Sequence, residues 1–155
     1  MPNNIVQSDY HTATPFLIIK DASKAIEFYK TAFEAIELMR MTMPNGNIGY
    51  AEIKIGDSVI MLTDEFPEMG ALSPKSLGGT PIKIHLYVKD VDKFADRAIT
   101  AGAKLVRPLE DQFFGDRLGC IEDPYGHIWS IATKKEKVTR EEMVKRFNAL
   151  MKQGA

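Results

Sequence analysis

Two stretches of the chain carry one pattern. The run from Thr14 to Asp21 (TPFLIIKD) and the run from Lys83 to Asp90 (KIHLYVKD) match, with Leu17/Leu86, Lys20/Lys89, Asp21/Asp90, Lys24/Lys93, Thr31/Thr100 and Ala32/Ala101 coinciding in one unbroken register. Each copy offers a short apolar strand, an aspartate suited to capping a helix, an amphipathic helix and three further strand-like runs. One such unit leaves a sheet face uncovered, so two are expected to close around a shared interior. A cavity between them is then the place to look for a ligand.

The bulk numbers narrow the class. A chain of 155 residues, 45% apolar and 26% charged, is one ordinary domain or two small, closely packed halves. Its net charge of -1 is spread without a basic stripe, so a nucleic-acid partner is not expected. Cys120 has no second cysteine to pair with, and no leader or long apolar run stands out. A reduced, cytoplasmic protein without a membrane partner is the expectation.

Along the chain, residues 1–13 are polar and read as an N-terminal arm, 14–133 as one domain, and 134–155 as a helical tail. The domain divides into a first repeat over about 14–63, a linker over 64–80 and a second repeat over about 81–133. Asp21 is placed to cap a helix whose apolar stripe is Ala25, Ile26, Tyr29, Ala32 and Phe33. Asp90 begins its counterpart, with Val91, Phe94, Ala95, Ala98 and Ile99 as the stripe and Gly102 as the stop. Strands are expected over 36–42, 48–55 and 59–63, then over 104–107, 118–122 and 127–133, separated by Gly-, Asn- and Pro-bearing turns. Gly49 to Glu52 matches Gly119 to Glu122 between the copies. In the tail, Thr139 with Glu142 forms a capping box and Val138 with Met143 a hydrophobic staple. Met143, Phe147, Leu150 and Met151 then share one face, which packs on the domain or on a partner subunit.

Two βαβββ copies, with Gly115-Asp116-Arg117 followed by the turn from Asp123 to His127 (DPYGH), resemble the vicinal oxygen chelate superfamily. That group comprises glyoxalase I, bleomycin-resistance proteins and extradiol dioxygenases. The resemblance covers about 14–133. It implies an α+β fold, two βαβββ repeats forming a curved mixed sheet with helices on the convex face and a ligand cavity on the concave face, and frequent homodimers. In metal-dependent members each copy supplies one ligand from its first strand and one from its fourth. Those positions fall on Thr14, Met61, Lys83 and Ser130. Hydroxyls are weak ligands, the thioether is soft, and an ammonium repels a cation. No metal residue is therefore assigned.

Alternation along the strands carries the site further. If Thr14 and Lys83 mark the concave face, Phe16, Ile18, His85 and Tyr87 share it. His85 is then a satisfied core imidazole, a ligand contact, or a proton-transfer or metal-binding group. In the strand around Glu52, Ala51, Ile53 and Ile55 form the apolar face, which sends Glu52 to the other. With His85 it makes an acid/base couple or two ligands, and otherwise it is a solvated strand glutamate. Arg117 beside a turn suits a ligand carboxylate or phosphonate, or an ion pair with Asp111 or Asp116. Gln112, Phe113 and Phe114 precede it at what reads as a pocket rim. Met39, Met41, Met43 and Met61 offer a conformable wall or ordinary core filling. No phosphate-loop, serine-hydrolase or paired-cysteine motif occurs.

Two functions remain, beside a duller third reading in which the chain is a scaffold whose cavity is filled by its own side chains. One is a metal-free protein, needing no cofactor, that binds a small organic molecule against Phe16, Met61, His85, Tyr87 and Ser130 with Gln112 and Arg117 at the rim, as drug-sequestering resistance proteins do. The other is a lyase, isomerase or dioxygenase-like enzyme using His85 and Glu52 as an acid/base pair or with a divalent metal held in non-standard fashion. Either is expected to form a homodimer.

Overall fold

A computed structural model describes residues 10–154. The first repeat runs β1 (Phe16–Ile19), α1 (Ala22–Phe33), β2 (Ile36–Thr42), β3 (Ile48–Ile55) and β4 (Ser58–Asp64). A 3-10 turn at Pro67–Met69 and one helical turn, α2 (Pro74–Leu77), fill the linker. The second repeat runs β5 (Lys83–Tyr87), α3 (Val91–Ala101), β6 (Lys104–Asp111), β7 (Asp116–Glu122) and β8 (Ile128–Lys134), and α4 (Arg140–Gln153) follows. The strands form two four-stranded mixed sheets, β1-β4-β3-β2 and β5-β8-β7-β6. In each, the first strand pairs parallel with the fourth and the remaining pairs are antiparallel. This is the α+β arrangement that the repeat implied. Of the N-terminal arm, residues 1–9 lie outside the described residues.

The core follows from strand alternation. Leu17, Ile19, Ala51, Ile53 and Leu62 bury one face of the first sheet, and Ile121, Trp129 and Ile131 the matching face of the second. Both faces are covered by α1 and α3, which also pack against each other, so the repeats share one interior. At its centre the Phe33 ring stacks on Phe94 at 5.1 Å and meets Trp129 edge-on at 4.8 Å. Each such side chain contributes about 1.5–3 kcal/mol by leaving water.

Buried carboxylates pin this interior. Asp123, 2% exposed, accepts from Tyr29 Oη at 2.5 Å, Trp129 Nε1 at 2.8 Å and the backbone amides of Tyr125 and His127. One side chain thus ties the first repeat's helix to the second repeat's sheet and turn. The expected cap of α1 is replaced. Asp21 adopts a left-handed conformation and makes no side-chain cap bond. Asp64 Oδ1 instead accepts from the Asp21 and Ala22 amides at 3.0 and 2.9 Å, because parallel pairing brings the end of β4 beside the start of α1. In the second repeat Thr133 Oγ1 takes the Val91 amide, and Asp90 caps α3 as expected.

Three further differences from the sequence reading have local causes. β6 continues to Asp111 rather than stopping at Arg107, because an edge strand accommodates Pro108 within the second of its two register shifts. The alignment of Glu52 with Glu122 does not survive in the pairing. Glu52 lies opposite Met61, whereas Cys120 lies opposite Ser130, since the turn closed by Asp123 and His127 is longer than the tight turn at Gly56 and Asp57. The α4 stripe is covered only in part: Met143 is half-buried and Phe147 meets the Phe113 ring, while Phe147, Leu150 and Met151 stay largely exposed in the single chain; Thr139 caps the helix and Arg146 ties it to Phe113 and Glu136.

Removing one donor from the buried hub has a stated cost. Tyr29→Phe is expected to lower unfolding free energy by about 1.5–3 kcal/mol, as for a hydrogen bond to a charged group, and Asp123→Ala, which strands four donors, by more. Urea denaturation at neutral pH checks both, and an unchanged midpoint for either would remove the hub from the account.

Candidate functional site

Residues on the sheet faces turned away from the helices are the site's raw material. In the first sheet these include Phe16, Tyr50, Glu52 and Met61, and in the second Lys83, His85, Tyr87, Asp116 and Ser130, by alternation from the buried positions. Phe16 faces Met61 across β1 and β4, and His85 faces Ser130 across β5 and β8. Repeat equivalence thus sets an apolar pair against a polar one.

On the first sheet an open cleft of about 740 Å³ is lined by Tyr10, His11, Thr12, Thr14, Tyr50, Glu52 and Met61. Glu52, only 5% exposed, stands between Met61 on β4 and Met39 on β2. Tyr50 Oη donates to Glu52 Oε2 at 2.8 Å, Tyr10 Oη lies 3.3 Å from Tyr50 Oη, and the Phe16 ring tilts against Tyr50 at 6.0 Å. Burial among thioethers and rings pushes the Glu52 carboxyl and the Tyr50 phenol above their ordinary values.

Where the repeats meet, a smaller cleft of about 160 Å³ is lined by His11, Thr14, Val59, Ile84 and His85 among others. His85 Nδ1 lies 2.9 Å from Ser130 Oγ, and the Tyr87 ring sits edge-on to the imidazole at 4.6 Å. Tyr87 Oη donates to Asp116 Oδ2 at 2.8 Å, and that bond, with burial, pushes the phenol up. A groove of about 770 Å³ continues along the seam past Phe33, Ser58, Tyr87, Lys93 and Arg97.

Phe16, Met61, Glu52, His85, Tyr87 and Ser130 therefore share the open side of the two sheets, while Glu52 and His85 line different clefts with His11 and Thr14 common to both. Arg117 and Gln112 line none of these clefts. Arg117 turns toward α3, with Nε 2.9 Å from Asp92 and Nη1 3.3 Å from Asp111. Gln112 bonds within its own hairpin, to Glu110 and Arg107. Phe113 and Phe114 pack on each other, and Phe113 on Phe147. The sequence reading missed Tyr50, although alternation places it with Glu52. It also missed Asp116, which shares its face with Leu118 and Cys120, and His11, which precedes any periodic segment.

The four positions that the resemblance implies as metal ligands carry two hydroxyls, a thioether and an ammonium in this chain: Thr14, Ser130, Met61 and Lys83. Among the described residues no group of three or more His, Cys, Asp or Glu side chains could hold a metal ion. The donor set does not fit the family's cation.

Duplicated βαβββ units, each a four-stranded mixed sheet backed by a helix, define a paired-repeat α+β architecture. The model of the Glyoxalase/Bleomycin resistance protein/Dioxygenase superfamily matches residues 10–131, and the chain belongs to this superfamily. It is 44% identical over 133 residues to Uncharacterized protein Rv0887c of Mycobacterium tuberculosis, covering 84% of this chain and 78% of that one. Among solved structures it is similar to TioX from Micromonospora sp. ML1, at 25% identity and a TM-score of 0.62, covering 83% of this chain and all (100%) of that one. It also shares its fold with the fosfomycin resistance protein FosX of Listeria monocytogenes, described as complexed with Mn(II) and sulfate, at 20% identity and a TM-score of 0.62, over 88% and 97% of the two chains. No helix among the described residues is long and apolar enough to cross a membrane.

The raised Glu52 carboxyl has a definite sign. Ionising it in the fold costs free energy above its folded midpoint, and that penalty is relieved as pH falls from the folded value toward the ordinary 4.5. Glu52→Gln is therefore expected to be more stable than the parent near pH 7.5, with the advantage shrinking across that window. Urea midpoints against pH, with carbon-detected titration of the Glu52 carboxyl, check it; a midpoint at or below 4.5 refutes the assignment.

Proposed function

We propose that this chain binds a small, partly aromatic organic molecule on the open side of its paired sheets, without a metal and without turning it over, in the manner of sequestering resistance proteins. The carrying observation is Glu52, set between Met39 and Met61, bonded to Tyr50 and opening into the first cleft. Thioethers conform to varied apolar shapes, and a carboxyl with a raised pKa offers a hydrogen bond at little desolvation cost. Phe16 and Tyr87, 50% and 61% exposed in the single chain, add ring surface. His85, held by Ser130, acts in this reading as a ligand contact. Turnover by His85 and Glu52 as one acid/base pair draws less support, because the two line separate clefts.

A second copy of the chain is the proposed macromolecular partner. It would cover exposed apolar surface on two elements: Ile36, Leu38 and Met41 on β2, and Val144, Phe147, Leu150 and Met151 on α4. A fourteen-residue helix that buries no residue gains little from its own hydrogen bonds, and such helices are marginal without a packing face. The buried, unpaired Cys120 suits a reducing cytoplasmic compartment.

Calorimetric titration with Mn(II), Ni(II) and Zn(II) of protein purified without chelators is expected to show no stoichiometric tight site. A thermal-shift screen of planar antibiotics and small keto compounds is expected to yield a ligand that raises Tm with concentration. Phe16→Ala and Glu52→Gln should each weaken that ligand about tenfold, near 1.4 kcal/mol. A tight cation site abolished by His85→Ala would overturn the metal-free reading. Sedimentation equilibrium should return twice the 17.4 kDa chain mass, reduced toward one chain by Phe147→Glu.

A further inference from the structure

Asp116 is the one described carboxylate whose buried oxygen has no partner. The residue is 2% exposed; Tyr87 Oη occupies its Oδ2, and its Oδ1 is enclosed without a hydrogen bond. Leaving such an atom unpaired is costly, in a fold that fully uses the oxygens of Asp64 and Asp123. The nearest cation is Lys134 Nζ, 3.9 Å from Oδ1, too far for a hydrogen bond. That same ammonium hangs over the Tyr87 ring, 5.7 Å from its centroid. Lys134 is more than half exposed on a long, flexible stem, so it leaves this position with little loss.

A buried carboxylate with a free oxygen, the face of an aromatic ring, and a loosely held internal cation between them describe a site for an exchangeable positive charge. We infer that Asp116 and Tyr87 receive a cationic nitrogen of the ligand, an ammonium or amidinium, which takes the place of Lys134, donates to Asp116 Oδ1 and lies over the Tyr87 ring. This rests on the proposal of an organic ligand on the open side, and adds the ligand's charge. Tyr87 adjoins His85, so an aromatic body attached to that nitrogen would reach the cleft where the repeats meet.

Benzamidine and its neutral, nearly isosteric counterpart benzamide separate charge recognition from aromatic binding. In amide-detected NMR titrations of the full chain, benzamidine is expected to shift the signals of Tyr87, Asp116 and Lys134 and to bind at least about tenfold more tightly than benzamide. Asp116→Asn should erase that preference, while Tyr87→Phe, which keeps the ring, should stay within about threefold of the parent. Lys134→Met supplies the sign test and, being exposed, does not threaten the fold. Removing the competing cation should tighten benzamidine about threefold, whereas a lysine that serves an anionic ligand predicts no gain for benzamidine and a loss for benzoate. Equal binding of benzamidine and benzamide on the open side overturns the cationic site and leaves the aromatic-binding proposal standing. Absence of shifts near Tyr87 with either probe, or no tightening in Lys134→Met, overturns the cationic site as well.

Discussion

The joint between the repeats depends on one buried charge. Asp123 sits in the turn before β8 and receives hydrogen bonds from a helix of the other repeat, from the indole behind the sheet and from two amides of its own turn. A carboxylate removed from water is tolerated only when its lone pairs are satisfied, and here they are. Because Tyr29 belongs to α1 and Trp129 to β8, the geometry that satisfies Asp123 also ties α1 of the first repeat to the second repeat's sheet. Phe33, Phe94 and Trp129 then stack in the space that this joint defines. Asp64 does the comparable work within the first repeat by holding the start of α1 and the start of β3.

Much of this was legible in the sequence because it was written twice. Apolar alternation and helical stripes depend on local spacing alone, and the run from Ile36 to Thr42 and that from Ile48 to Ile55 emerge with the expected bounds. What was not legible depends on pairing across the sheet. No local signal distinguishes Asp21, which looks like a cap and is not one, from Asp64, which caps from forty-odd residues away. The matching of Glu52 with Glu122 failed for the same reason, since a turn of different length slides one hairpin by two residues while leaving the exposed face unchanged. Arg117 was read from its place beside a turn; its direction was set by alternation with Ile121 and Gly119, which sends it to α3.

The two halves keep one scaffold and differ on the faces turned away from the helices. Phe16 with Met61 in the first repeat corresponds to His85 with Ser130 in the second, and Glu52 in the first corresponds to Cys120. Substitutions of this kind cost the fold little, since they lie on the side away from the helices and outside the shared core. They change the chemistry entirely. Hydroxyl, thioether and ammonium groups at Thr14, Ser130, Met61 and Lys83 cannot offer a divalent cation the imidazole and carboxylate donors that it prefers.

The carboxylates of the molecule sort by how completely their oxygens are used. Asp64 and Asp123, on the helix side, are saturated by amides, a phenol and an indole, and nothing further can be attached to them. On the open side each repeat instead carries a tyrosine–carboxylate pair, Tyr50 with Glu52 and Tyr87 with Asp116. A phenol is a single donor, so it orients a carboxylate without exhausting it. The first pair lies between thioethers, where burial raises the Glu52 carboxyl, and the second lies near the exposed Lys134 ammonium. One motif in two settings thus leaves the open side with two carboxyl groups, each of which a single phenol orients without exhausting.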